Sequence, residues 1–267
     1  MKLQQRNNIT VHGDGPATML FAHGFGCDQT MWRNLTPSFG ARYRLILFDL
    51  VGSGKSDLSA YDYRKYSTLH GYADDVLEIA DQFAVGPLIF VGHSVSAIIG
   101  MLAAIKEPHR FAANLMVGPS PSYINDGDYI GGFSRGDIEG LLQALESNYL
   151  GWSSNMAPAI MGAPHKPELG VELTNSFCRT NPDIAKHFAR VTFTADHRKD
   201  LPLVTTPSLI VQCSEDLIAP RPVGEFMHKA IRHSSLRVVE NVGHCPHLSS
   251  PGSTFDAMRG FLTELDL

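Results

Sequence analysis

Short apolar runs rich in β-branched residues alternate along this chain with stretches whose apolar positions recur at helical spacing. The run at 18–23 (Thr-Met-Leu-Phe-Ala-His) predicts a strand, followed by a polar loop and a helix near 29–39. Residues 43–48 predict a second strand, closed by Asp49 and the turn Gly52-Ser53-Gly54. Over 70–84, Tyr72, Val76, Ile79 and Phe83 share one helical face, with Asp74, Asp75 and Glu78 on the other. Residues 87–91 predict a third strand, with a helix over 96–106 behind it. The runs at 114–118, 208–212 and 236–240 complete the set. Near-continuous apolar strands between helices predict a mostly parallel sheet covered on both faces. The stretch at 8–12 is more polar and predicts an antiparallel edge strand.

No repeat, low-complexity tract or Pro/Ser-rich linker divides the chain. One stretch breaks the alternation. From 121 to 200 no strand signal appears, and helical pieces at 135–148, 168–178 and 182–190 are rich in aromatics. The expected organisation is an α/β core from 1–120 and 201–267, with 121–200 inserted between strands. An insertion there sits above the carboxyl ends of the strands, where ligands bind in open α/β sheets, so it reads as a helical lid. A helical subdomain without a binding role is the alternative.

Composition narrows the function classes. With 43% hydrophobic and 18% charged residues among 267, the chain has ample material for a core. Its 22 Lys+Arg against 27 Asp+Glu give a net charge of −5, which argues against nucleic acid or an anionic membrane surface as partner. No apolar run reaches the roughly 20 residues of a membrane span, and the first residues lack the apolar core of a signal peptide. Cys27, Cys178, Cys213 and Cys245 are scattered without a CxxC pair. These features predict a cytoplasmic protein with unpaired thiols.

The strongest chemical signal is Gly92-His93-Ser94-Val95-Ser96, between a predicted buried strand and a helix. A serine in such a turn is thrust out of the sheet, with the next N–H directed toward a reacting carbonyl. The usual pattern is G-x-S-x-G; here Ser96 replaces the second glycine, and is small enough to keep the close helix approach. A serine hydroxyl needs a base, and among 12 histidines position must select it. His244 follows the last predicted strand. Asp216, with Glu215 as close runner-up, follows the strand before it and would orient that histidine. The order Ser94, Asp216, His244 is the one this type of fold uses. The loop His23-Gly24-Phe25-Gly26 can offer the Phe25 backbone N–H opposite that of Val95, forming an oxyanion hole.

Other candidates fail. Gly52-Ser-Gly-Lys-Ser56 ends like a phosphate-binding loop, but the required earlier glycine position is Asp49. Cys245 and His247 flank His244 without a second cluster at zinc spacing, so no metal is expected. His93 reads as a packing residue and His23 as one that shapes its loop.

The chain resembles the α/β-hydrolases, and within them the group uniting the bacterial stress regulator RsbQ with plant karrikin and strigolactone receptors. The stretches that carry this are 23–29 (His-Gly-Phe-Gly-Cys-Asp-Gln), 45–54, 92–97 and 243–249. Further along, at the start of the insertion and within it, they are 118–123 (Gly-Pro-Ser-Pro-Ser-Tyr), Asn125-Asp126 and Gly131-Gly132-Phe133. The resemblance implies an α/β-hydrolase fold, a four-helix cap and a cofactor-free serine hydrolase with Ser94, Asp216 and His244 as triad. It implies a pocket for a small apolar ester or butenolide-type lactone, lined by Phe25, Tyr123, Phe133, Trp152 and Phe193. Taken without the family, those aromatics read as core of the insertion. The resemblance also implies a second role, a ligand sensor whose slow hydrolysis or occupancy controls binding to a signalling protein. A dehalogenase is disfavoured, because that chemistry needs a carboxylate where Ser94 stands.

Overall fold

The computed structural model describes residues 2–267. Seven strands form one sheet: β1 (Thr10–His12), β2 (Thr18–Ala22), β3 (Arg44–Phe48), β4 (Leu88–His93), β5 (Phe111–Val117), β6 (Ser208–Glu215) and β7 (Ser234–Val242). Their order is β1-β3-β2-β4-β5-β6-β7, and only β1, on the edge, runs antiparallel to its neighbour. Strands β2 and β4 are buried at every position, as expected of strands covered on both faces.

The helices are α1 (Leu3–Arg6), α2 (Thr36–Phe39), α3 (Leu69–Phe83), α4 (Val95–Lys106), α5 (Arg135–Ser147), α6 (Tyr149–Met161), α7 (Pro167–Arg179), α8 (Pro182–Phe193), α9 (Arg221–Ala230), α10 (Pro246–Ser249) and α11 (Pro251–Glu264). Two buried clusters fill the two faces of the sheet. One contains Phe21, Trp32, Val91, Leu115 and the inward faces of α5–α7; the other contains Leu20, Phe48, Phe90 and α3 with α4. Helices α5–α8 all lie between β5 and β6, and regular strands are absent from that insertion.

Three local expectations needed correction. The helix near 29–39 is two short pieces, a 3-10 turn at Gln29–Trp32 capped by the Asp28 carboxylate and α2, whose first turn contains Pro37. A proline lacks the N–H that a continuous helix would require there. Helix α6 was not legible as a unit, since it holds Gly151 and Pro158 and has an apolar face broader than a stripe. Asp75 is not on the solvent face of α3. Its side chain is 1% exposed and is met by Arg6 at 3.0 Å, Lys65 at 2.5 Å and the Tyr66 hydroxyl at 2.8 Å. That cluster ties the N-terminal turn to α3. Replacing Asp75 with Asn leaves two cations facing a neutral group, and should lower unfolding free energy in urea by about 2–3 kcal/mol.

Candidate active site

Strand β4 ends in a turn so tight that a side chain at Gly92 would lie 2.6 Å from the backbone of Ser96 and Ala97. Ser94 follows at φ 56°, in the left-handed region that non-glycine residues rarely occupy. Its backbone is held there by an N–H bond to the Val117 carbonyl at 2.8 Å. Strain of this kind persists where surrounding structure enforces it, and it presents the Ser94 side chain above the strand ends.

The three residues selected from the sequence meet. The Ser94 hydroxyl donates to Nε2 of His244 at 2.8 Å, and Nδ1 of His244 donates to Asp216 Oδ2 at 2.7 Å. The other Asp216 oxygen accepts the backbone N–H groups of Ile218 at 2.8 Å and Ala219 at 3.1 Å, so the carboxylate is fixed from both sides. Its side chain is fully buried, whereas Glu215 is exposed and does not reach the histidine.

Across from Ser94 lies the loop after β2. His23 shapes it: Nε2 accepts the Leu50 N–H at 3.0 Å, while Nδ1 donates to the Gly24 carbonyl at 2.8 Å. Among the described residues, the Phe25 N–H has no protein acceptor. The Val95 N–H begins α4, where no intrahelical acceptor exists. Ser96, the departure from the usual motif, donates to the His23 carbonyl at 2.5 Å, tying the helix start to this loop. A glycine could not make that bond.

Behind His244 is a layer of neutral imidazoles. His93 donates through Nε2 to the His244 carbonyl at 2.9 Å, and its ring lies 4.9 Å from that of His244 and 4.5 Å from that of His247. His247 in turn lies 4.7 Å from the Trp32 ring. The fold thus brings His93 against Cys245 and His247, their ligand atoms within 4.8 Å of one another, a juxtaposition that linear spacing does not reveal. Burial lowers His247 to about 3 and holds His93 well below its usual range.

A narrow, mostly apolar cavity opens beside Ser94 and His244. Phe25, Tyr123 and Phe193 line it, joined by Cys27, Ile160, Leu173, Phe177, Thr192 and Ile218. Trp152 stands one layer behind, 6.2 Å from the Phe25 ring and stacked on Phe177 at 5.8 Å. Phe133 is outside the lining. Its backbone is pinned to the 123–125 segment by bonds of 3.1 and 2.7 Å, and its ring packs half-buried against the core. Burial raises the phenol of Tyr123 far above its ordinary range, and the nearby Ser94 hydroxyl acts in the other direction. Sequence reasoning missed Phe177 because Leu169, Leu173 and Phe177, four apart on α7, carry the same periodicity as any core face. Ser176 bonds the Gly26 carbonyl at 2.8 Å, so α7 and the Phe25 loop are physically joined.

Residues 19–257 match the model of the Alpha/beta hydrolase family. The chain belongs to that family. It is 41% identical to the "Probable esterase D14L" of Oryza sativa subsp. japonica over 93% of both chains. It is 39% identical to the "Karrikin insensitive 2 receptor CA" of Petunia hybrida, again over 93% of each. A solved structure described as a hydrolase from Oleispira antarctica aligns with a TM-score of 0.95 at 42% identity, covering 98% of this chain and 96% of that one. Among the described residues no helix is long and apolar enough to cross a membrane.

Two predictions follow from the packing of this α/β-hydrolase site. Ser96→Ala keeps the helix but removes the bond to His23, and should cost about 1 kcal/mol of stability in urea unfolding. Unfolding returns His93 and His247 to the ordinary histidine range near 6.5, so between about pH 6.5 and 3 the unfolded chain binds more protons than the folded one. Their contribution is therefore full above pH 6.5 and is lost as pH falls. Unfolding free energy should drop by about 2 kcal/mol from pH 7 to 5.5, and His247→Phe should remove roughly half of that drop. An unchanged pH dependence in the variant would contradict the assignment.

Proposed function

We propose that the protein is a serine hydrolase acting on a small apolar ester or lactone. The observation that carries this is the unbroken relay Ser94–His244–Asp216 in the wall of an apolar cavity. Ser94 Oγ attacks the carbonyl carbon as its proton passes to His244 Nε2, and Asp216 holds the imidazolium through Nδ1–H. The Phe25 and Val95 amides receive the oxyanion. Collapse breaks the bond to the alcohol oxygen, which takes the proton from Nε2; in a lactone that alcohol stays attached to the acyl group. Water then gives a proton to His244 and attacks the acyl-enzyme. Ser94 regains its proton as the carboxylate leaves. Residues 121–200 act as the lid, since Ile160, Leu173, Phe177, Thr192 and Phe193 supply much of the cavity wall. Four free thiols suit a reducing compartment such as the cytoplasm.

A second reading has support from the relatives. Proteins at 39% identity carry the names of a karrikin receptor and of a "Strigolactone esterase RMS3" in Pisum sativum. In that reading ligand occupancy or slow hydrolysis alters the lid, and with it the affinity for a signalling partner.

One experiment addresses both. Turnover of a short aryl ester and of a butenolide probe is measured on wild type and Ser94→Ala, alongside intact-protein mass. Ser94→Ala should fold and lose at least about 10,000-fold in kcat; retained turnover by the folded variant defeats the hydrolase reading. Fast ester turnover favours a metabolic hydrolase, whereas slow butenolide-selective turnover with a lasting adduct on wild type favours the sensor.

A further inference from the structure

Thr192 sits in the last turn of α8, is 2% exposed and faces the cavity beside Ser94 and His244. Its hydroxyl oxygen is buried and has no hydrogen-bond partner among the described residues. Thr206, in the loop before β6 and away from the cavity, shares this state, but the helical hydroxyls of the chain mostly do not. Ser153, Thr174, Thr254 and Thr263, also within helices, each donate to the carbonyl four residues back at 2.8–2.9 Å. Helical threonine has a side-chain conformer that makes this bond, and Thr194, two residues on, donates to Arg190 in the same way at 2.8 Å. Thr192 forgoes it.

A buried hydroxyl without a partner is destabilising, and sites built to bind ligands are where such groups are found. Most of the surrounding lining is apolar: Phe25, Ile160, Leu173, Phe177, Phe193 and Ile218. At the reacting end Ser94 and His244 bond each other and the Tyr123 phenol lies near Ser94; Nδ1 of His93 is also unpaired, but it belongs to the imidazole layer behind His244. Thr192 comes instead from the insertion. Small-ligand pockets commonly combine apolar walls with a few polar groups that fix orientation.

We propose that Thr192 is a specificity-determining residue. Its hydroxyl donates to a second oxygen of the substrate, an ether or carbonyl oxygen outside the ester group that Ser94 attacks. This rests on the hydrolase reading above and narrows its substrate class to small esters or lactones carrying such an oxygen. An all-carbon ligand of the same shape leaves the hydroxyl unpaired and is bound less well.

The test pairs substrates that differ by one CH₂-to-oxygen exchange: p-nitrophenyl butyrate with methoxyacetate, p-nitrophenyl pentanoate with 3-methoxypropanoate, and 3-ethylphenyl acetate with 3-methoxyphenyl acetate. Each pair is measured on wild type, Thr192→Val and Thr192→Ser, with Ser94→Ala as control. Comparing the two members across variants cancels their different intrinsic reactivities. In at least one pair, Thr192→Val should lower kcat/KM for the oxygenated member about 10-fold relative to its carbon partner. The loss should fall mainly in KM, and Thr192→Ser should restore the preference. Thr192→Ala provides a second hydroxyl-free variant should valine disturb folding. Equal effects on both members of every pair, with turnover still dependent on Ser94, overturn this inference and leave the hydrolase reading standing. Turnover that survives Ser94→Ala overturns both.

Discussion

The backbone of Ser94 is held at a positive φ between β4 and α4, and much of the site follows from that constraint. Such a conformation costs about 1–3 kcal/mol in isolation. It persists because Gly92 allows the start of α4 to press against the strand and because Val117 accepts the Ser94 N–H. A relaxed turn would direct the serine along the sheet and away from His244. The central strands, buried on both faces, supply the rigidity that keeps the turn strained.

Around this point the other parts arrive from separate strand ends. Asp216 follows β6 and is fixed by two backbone amides, while His244 follows β7 and is held from behind by His93. The Phe25 loop follows β2 and is tied to α4 through Ser96. Asp216 is fixed within its own loop, while His244 and the Phe25 loop are each held by a bond from another strand's end, so the geometry depends on several strands at once. The insertion joins the same network through Ser176 and the ring of Phe177, which occupies the space a side chain at Gly26 would need.

Much of the core was legible because strands buried on both faces leave a simple signature, an unbroken apolar run. The residues that meet at the relay were legible for another reason: a nucleophile, its base and an acid fall in a fixed order at strand ends. Other features left no such trace. Asp75 looks like any polar residue on a helix, and only its neighbours Arg6 and Lys65, distant in sequence, explain its burial. Phe133 and Phe177 are both aromatic residues of the insertion, yet one lines the cavity and the other does not. The helices' mutual packing decides that, and residue type carries no record of it. The unpaired hydroxyl of Thr192 was invisible for the same reason.

The layer of imidazoles behind His244 has a consequence for proton traffic. In the proposed reaction His244 carries a positive charge for part of each cycle, with two further histidine rings in line behind it. Desolvation keeps both of those rings neutral, and His93 uses its one N–H to hold the His244 backbone. Neither can relieve His244 of its proton. The charge is answered by Asp216 alone, and the proton can leave only toward the substrate side, where the alcohol product or the returning Ser94 waits. Three adjacent histidines therefore behave as a single proton carrier mounted on an inert support.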